Sequence, residues 1–413
     1  MNKIESKLKK NIAKNYWYML ITNLNFTHGL WMIYLAYKGL SLLEIGMMEG
    51  LFHVSSLLME VPTGAIADLL GRKASRVAGR IASLISLIIL IFSNTFWMFA
   101  LSFFFSALSY NLESGSGEAL VFDSMKVLKK EKGYTKVAGN IEAIYQTASI
   151  FSLLIGGILG QRSFMLAFGS AIVVSMIAII SAMTFYEPPI EKVVNSEHSF
   201  KNFLIHTYES FKTLFSKKTI ASLTLFTTTL SAFCTVIFFY IQNYWQSTGL
   251  NISTIGLYLA IGSAAGVILS LNVQRIERFL KRRKFSNITK YPFLFFSMIV
   301  FSGIFLLAFS GFKNVHSVLS VVALTLIMAG ESGMFVSFQN FLHQNIPSHQ
   351  RATIISIESM LFSIVMIAIF PIFGWIADIS SFKVSFIALS VIAGILLLSA
   401  LIIMHRFSER KER

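Results

Sequence analysis

The chain has 413 residues, of which 55% are hydrophobic and only 13% are charged, and its mean hydropathy is +0.67. About a quarter of the residues in a soluble domain are charged, so this composition excludes an ordinary soluble protein. Apolar segments of about 20 residues, long enough to cross a bilayer as a helix, recur along the chain. They are too long and too uniformly apolar for the alternating strands of a membrane barrel. We therefore expect an all-α integral membrane protein.

Hydropathy predicts 12 transmembrane helices in two sets of six. In chain order the predicted spans are Lys14–Tyr37, Glu44–Asp68, Val77–Asn94, Phe96–Leu120, Lys136–Gly160, Phe164–Tyr186, Thr219–Trp245, Ser253–Val273, Tyr291–Gly311, His316–Asn340, Ala352–Asp378 and Val384–Met404.

The longest polar segment divides these spans into an N-terminal six-helix bundle (1–186), a cytoplasmic central loop (187–218) and a C-terminal six-helix bundle (219–413). Within the loop, apolar residues between Phe200 and Phe215 repeat on one helical face, with lysines elsewhere. This pattern predicts an amphipathic helix on the cytoplasmic membrane surface. A solvated linker helix is the alternative.

The net charge of +15 does not indicate a nucleic-acid partner. If both termini are cytoplasmic, only four of the 35 lysines and arginines lie on outer connections, namely Lys38, Arg162, Lys313 and Lys383. The others lie on the inner side or at the inner helix ends. This asymmetry is the positive-inside rule. We expect a multi-pass protein of the cell (inner or plasma) membrane, with an uncleaved N-terminal anchor. The single cysteine, Cys234, excludes an intrachain disulfide.

A short polar motif, "GAIADLLGRK", follows the second predicted span. It contains Gly64, Asp68, Gly71, Arg72 and Lys73 in the spacing G-xxx-D-xx-G-R-K. This resembles the signature loop of the major facilitator superfamily. The 12 spans, the long central loop and the cytoplasmic termini extend the resemblance over nearly the whole chain, which looks most like the bacterial drug:proton antiporter-type members.

The motif predicts a conformational gate. Gly64 would permit close helix approach, and Asp68 at the end of its helix needs a positive partner to offset the negative end of the helix dipole. The resemblance implies that Asp68 and Arg72 help to hold the cytoplasmic gate closed between the two halves. It also implies that Asp123, near the inner end of the fourth span, joins them. The alternative is that these charges only cap helices and set topology.

Ionisable groups at membrane depth are costly and therefore mark candidate functional sites. In the second span Glu49, His53, Ser56 and Glu60 fall on one helical face, which should line a cavity or face partner helices. Further candidates lie in other spans. They are Asn25 and His28 in the first, Glu118 on one face of the fourth with Glu113 on another, Glu142 in the fifth, Glu331 in the tenth and Glu358 in the eleventh.

The signs of these deep groups favour a cationic or neutral lipophilic substrate, together with protons. Carboxylates and histidines lie deep in the predicted spans, whereas lysine and arginine lie near span ends. Buried carboxylates and histidines can gain and lose protons near neutral pH. We expect no metal site and no cofactor, with the proton gradient as the energy source, and a monomer in the lipid bilayer.

Two departures weaken the resemblance to drug antiporters. Asn111 stands where those proteins carry an arginine, four residues before Gly115. The glycine-rich motif of the fifth span keeps mostly small residues, but its proline is replaced by Leu153. Any proton coupling must therefore use another carrier. The acids of the second span are the first candidates, and Glu113 and Glu118 are the next.

Several functions remain open from the sequence. The first is multidrug efflux, the proton-driven export of lipophilic cationic or neutral compounds by alternating access. The second is proton-coupled transport of a single nutrient, metabolite or lipid-like substrate. A non-transporting membrane sensor belongs to another class. An enzyme is not expected, because the chain carries no phosphate-binding glycine loop, no Cys and His metal cluster and no nucleophile elbow.

Overall fold

The computed structural model describes residues 3–189, 205, 208–209, 211–212, 214–282, 291–309, 316–346 and 348–412. Over these residues the chain is almost entirely α-helical and contains no β-strand. This confirms the predicted all-α fold class. The amphipathic helix expected between Phe200 and Phe215 falls largely outside the described residues.

The first half of the chain forms eight α-helices within residues 3–189, joined by short turns. They are α1 (Lys3–Asn23), α2 (Trp31–Tyr37), α3 (Leu42–Leu70), α4 (Arg72–Phe92), α5 (Phe96–Glu113), α6 (Ser116–Val127), α7 (Tyr134–Arg162) and α8 (Phe164–Met183). A single 3₁₀ turn, Glu131–Gly133, leads into α7.

The second half contains six long helices in the described part of the chain. They are α9 (Lys218–Ser247), α10 (Ile252–Arg282), α11 (Pro292–Phe309), α12 (His316–Asn345), α13 (Ser348–Ile379) and α14 (Phe382–Glu412). Most exceed the span length because charged or polar residues extend their ends, as in the Arg275–Arg282 tail of α10.

Two predicted spans are each divided into two helices. The first becomes α1 and α2, separated by the polar stretch "LNFTHGL", and the fourth becomes α5 and α6, separated at Ser114 and Gly115. Gly115 has φ +70°, a left-handed conformation that glycine adopts readily. Ten other helices in the described residues are long and apolar enough to cross a membrane. Counted with the two divided spans, they agree with the predicted 12-helix fold.

The chain divides into two compact units. Unit 1 contains Met1–Lys38, Met48–Phe203 and Asn251–Gly256, and unit 2 contains Gly39–Met47, Leu204–Leu250 and Leu257–Arg413. Helix α3 therefore begins in unit 2 and continues in unit 1 from Met48.

Unit 2 is tightly packed where the first turns of α3 meet α13. The Asp378 carboxylate accepts hydrogen bonds from the backbone N–H groups of Leu42, at 3.1 Å, and Leu43, at 2.8 Å. These N–H groups lack partners within the helix, and a carboxylate there also complements the helix dipole. The Tyr240 hydroxyl lies 2.9 Å from the Leu42 carbonyl oxygen. Gly374 makes this approach possible, because a Cβ atom there would overlap the Leu42 carbonyl.

We predict that Gly374→Ala destabilises the protein, because the added methyl has no space against backbone atoms. Overpacking of this kind costs about 1–3 kcal/mol. Gly169→Ala is the matched control, since a Cβ atom at Gly169 would meet nothing within 4 Å. Thermal unfolding of the purified variants in one detergent should show a lower midpoint for Gly374→Ala only. Equal midpoints for the two variants would contradict the packing described here.

Candidate functional site

Unit 1 contains an open cavity of about 660 Å³. Its lining side chains come from α1, the α1–α2 turn and helices α3 to α7. Most of them carry hydroxyl, amide or charged groups, and the apolar ones are Met19, Phe52 and Ile141. The lining includes Asn15, Thr22, Asn23, Asn25, His28, Phe52, Arg76, Arg80, Ser83, Ser106, Ser109, Tyr110, Glu113, Ser114, Glu118, Glu142 and Tyr145.

A buried ion pair lies in the wall of this cavity. Arg76 of α4, whose side chain is completely buried, lies 2.8 Å from Glu113 of α5, measured from Nη2 to Oε1. Its Nε donates to the same oxygen at 2.9 Å, and its Nη1 donates to Asn15 Oδ1 at 2.8 Å. The Tyr18 hydroxyl donates to Glu113 Oε2 at 2.7 Å. The Glu113 carboxylate is therefore held by fixed donors on two neighbouring helices.

Aromatic rings complete the surroundings of the Arg76 guanidinium. Its central carbon lies 4.1 Å from the ring centroid of Tyr18 and 4.9 Å from that of Phe185. Such cation–π contacts stabilise a cation that has lost its water. Together with Glu113, they explain how a fully buried arginine is accommodated in unit 1.

The polar face of α3 that the sequence predicts is divided among different surroundings. Glu49 lies 3.6 Å from His53, measured between Oε1 and Nε2, one helical turn away. Ser56 exchanges two hydrogen bonds with Asn111 of α5, at 2.7 and 2.6 Å. Glu60 is exposed. The structure therefore brings Glu49 and His53 together and separates them from Glu60.

Asn25 and His28 lie in the turn between α1 and α2, and both line the cavity. Asn25 Oδ1 accepts hydrogen bonds from the Thr27 hydroxyl at 2.7 Å and from the Thr27 N–H at 3.2 Å. Such local side-chain bonds compete with helical hydrogen bonding. They account for the interruption of the first predicted span at this point.

The division of the fourth span changes which residues share a surface. As one continuous helix, the span would place Asn111, Ser114 and Glu118 on one face and Glu113 on another. The turn at Ser114 and Gly115 alters this register, so that Glu113, Ser114 and Glu118 all line the cavity while Asn111 bonds to α3. Glu142 of α7 also lines the cavity, and its Oε1 accepts from Gln146 at 2.7 Å.

The two candidate acids of the second half belong to unit 2 and are not among the residues that line this cavity. Glu331 of α12 accepts a hydrogen bond from the Ser231 side chain of α9. Glu358 of α13 accepts from Gln339 Nε2 at 2.8 Å. Neither carboxylate has a lysine or arginine within ion-pair distance among the described residues. The described residues also contain no cluster of His, Cys, Asp or Glu suited to a metal ion.

The signature loop contains the predicted ion pair and a partner that the sequence did not indicate. Arg72 Nη1 lies 3.0 Å from Asp68 Oδ1. The Glu187 carboxylate accepts from the backbone N–H groups of Arg72, at 2.7 Å, and Lys73, at 2.8 Å, and so caps α4. Gly71 has φ +103°, and a Cβ atom there would lie 2.7 Å from Glu187 Oε1. Both conditions favour glycine at this position.

The surroundings of two further residues of the predicted gate, Gly64 and Asp123, leave their role untested. A Cβ atom at Gly64 would meet no described atom within 4 Å, and the close helix approach expected there stays a prediction. Asp123 interacts electrostatically with Arg72, Lys126 and Glu187, but it forms no ion pair within 4 Å with a described residue. A gate that closes the two halves remains a prediction.

We predict that Glu113→Gln strongly destabilises the protein, because it leaves the Arg76 charge buried and unpaired. Loss of one partner of a buried ion pair costs about 3–5 kcal/mol. Glu118→Gln is the matched control, since Glu118 is exposed to the same cavity and has no ion pair with a described residue. Thermal unfolding should show a large decrease for Glu113→Gln alone, and part of it should be recovered in Glu113→Gln/Arg76→Met. Equal stability of the two single variants would contradict a structural role for the pair.

Comparison with known proteins supports a transporter fold. The family model of the Major Facilitator Superfamily matches residues 17–367. The uncharacterized MFS-type transporter YxaM of Bacillus subtilis (strain 168) is 22% identical over 367 residues, which cover 88% of each chain.

Solved transporter structures share the fold at low sequence identity. The nucleoside transporter NupG gives a TM-score of 0.71 at 14% identity, with 97% of this chain and 99% of that chain covered. A bacterial homolog of the human lysosomal transporter Spinster, in an inward-facing and unoccupied conformation, gives 0.70 at 14% identity, with 99% and 98% covered. Because the family model covers most of the chain, this multi-pass membrane protein belongs to the Major Facilitator Superfamily.

Proposed function

We propose that this transporter is a proton-coupled secondary active transporter of a polar small molecule and that it works by alternating access. This proposal corresponds to the second hypothesis from the sequence, in which the protein transports a single nutrient or metabolite. The many hydroxyl, amide and charged side chains among the residues that line the 660 Å³ cavity in unit 1 are the observation that carries it. This volume lies within the range of small-molecule sites, about 300–1,000 Å³. Amide and hydroxyl groups bind solutes that form hydrogen bonds, and they remain unsatisfied around an apolar one.

The Glu49 and His53 pair supports the proton coupling. Glu49 has 14% of its side chain exposed, and its ion-pair partner among the described residues is His53 rather than a permanent cation. A carboxylate at membrane depth without a fixed cation can be neutralised by taking up a proton. Glu113, by contrast, is neutralised by Arg76. We therefore assign the proton to Glu49 first, and we do not assign it to Glu113.

Efflux of lipophilic cationic or neutral compounds is the second candidate function. The rings of Phe52, Tyr110 and Tyr145 line the same cavity and could bind a flat cation. Residues with amide, hydroxyl or charged side chains outnumber these three aromatic residues in the lining, and we rank efflux second on that basis. On either proposal the proton gradient supplies the energy and no cofactor is needed. The transporter acts as a monomer in a bacterial membrane, with both termini in the cytoplasm.

We predict that Glu49→Gln abolishes proton flux that is driven by substrate, because glutamine cannot carry a proton. Wild-type and variant proteins would be reconstituted into proteoliposomes with an internal pH dye. Nucleosides, sugars, amino acids and short peptides would be tested beside lipophilic cationic dyes. A polar solute should move protons with the wild type, and Glu49→Gln should retain exchange of labelled solute without proton movement.

Glu131→Gln is the matched control, because Glu131 is exposed in the 3₁₀ turn before α7. It should behave as the wild type does. Proton movement with lipophilic cations alone would support the efflux candidate in place of the polar solute. Proton flux that survives in Glu49→Gln would contradict the assignment of the carrier.

A further inference from the structure

A second arginine of α4, Arg80, lies in the wall of the same cavity and shares one carboxylate with Arg76. Arg76 and Arg80 are one helical turn apart, and both line the cavity. They share the carboxylate of Glu113, whose Oε2 lies 3.9 Å from Arg80 Nε. Two guanidinium groups and one carboxylate leave this part of the wall with one net positive charge.

Glu113 cannot satisfy both arginines. Arg76 donates to its Oε1 and Tyr18 donates to its Oε2, whereas the contact with Arg80 is longer than a hydrogen bond. Arg80 Nε is buried and has no hydrogen-bond partner among the described residues. Because 15% of the Arg80 side chain is exposed, part of the guanidinium remains accessible from the cavity. An anion bound at the accessible part of the guanidinium would add the charged hydrogen bonds that Glu113 does not provide to Arg80.

Carboxylates on other helices line the same cavity. Glu118 belongs to α6 and Glu142 to α7, and both are exposed to it. Helix α7 packs on α1 and α8, so the acid of Glu142 comes from a different part of the wall than the arginines of α4. The cavity therefore combines a positive region on α4 with a negative group on α7.

We propose that the substrate is zwitterionic, with a carboxylate that binds Arg80 and an ammonium group that faces Glu142. Guanidinium groups bind carboxylates through paired hydrogen bonds, and an amine is the matching group for an acid. A singly charged carboxylate suits the one excess positive charge of the group formed by Arg76, Arg80 and Glu113, whereas a phosphate dianion would be repelled more strongly by the acids that line the cavity. This inference rests on the proposed transport of a polar small molecule and names its chemical class.

The test is binding of defined zwitterions to the purified full-length protein. The probes are the standard α-amino acids and short dipeptides, each beside its carboxyl amide and its N-acetyl derivative. Thermal unfolding would be followed as a function of probe concentration. At least one zwitterion should stabilise the wild type, and its amide should bind at least about tenfold more weakly, as expected for loss of a charged hydrogen bond.

Substitutions at Arg80 connect this binding to the residue. Arg80→Gln should bind the zwitterion at least about tenfold more weakly than the wild type and should no longer distinguish it from its amide. Arg80→Lys keeps the charge and should give intermediate affinity, and it carries the test if Arg80→Gln does not fold. Arg162→Gln is the control, because Arg162 is exposed at the end of α7 and does not line the cavity.

Three results would overturn the inference: no zwitterion stabilises the wild type, the amides bind as well as the zwitterions, or neither Arg80 variant weakens binding. Proton flux with a sugar or nucleoside, in the absence of zwitterion binding, would leave the proposed function standing and remove this inference. Zwitterion binding without proton flux would support this inference and contradict the proposed proton-coupled transport.

Discussion

The fully buried guanidinium of Arg76 is the constraint on which the architecture of unit 1 depends. An unpaired charge in that position would cost several kcal/mol, so acceptors have to be brought to it from other parts of the chain. Glu113 comes from the end of α5, Asn15 from α1, and Tyr18 covers the guanidinium face. The interruption of the fourth span directly after Glu113 allows that carboxylate and the following helix to line one cavity. The pair thus links three helices and determines one wall.

The ion pair of Arg76 and Glu113 distinguishes two kinds of carboxylate in unit 1: one whose charge is fixed by a permanent cation and one whose charge can change with protonation. Glu113 is fixed by Arg76, whereas Glu49 is paired with a histidine, whose own charge varies with protonation. Transport coupled to protons needs groups of the second kind, and substrate recognition benefits from charges of the first kind. Our account therefore divides the two tasks between different positions in unit 1: Arg80 for the solute and Glu49 for the proton.

The sequence predicted the fold well, because a bilayer forces backbone groups to bond within helices and so makes hydropathy informative. The Asp68–Arg72 pair was also foreseen from the signature spacing. The helix interruptions near Asn25 and Gly115 were not foreseen, because hydropathy averaged over a whole span hides a short polar turn. Arg76 directly precedes the third predicted span and Arg80 lies near its start, and the role of both depends on how α4 is rotated, which the sequence does not specify. The "NFTHG" stretch and the four-residue spacing of the two arginines were the signals available.

The division of charges can be tested without knowing the substrate. Infrared difference spectra of the purified protein, recorded during a pH titration, detect the protonated carboxyl group directly. Our account predicts a carboxyl band that appears and disappears with pH in the wild type and in Glu131→Gln, and that is missing in Glu49→Gln. The same titrating band in Glu49→Gln, unchanged from the wild type, would contradict the claim that Glu49 is the group whose charge changes.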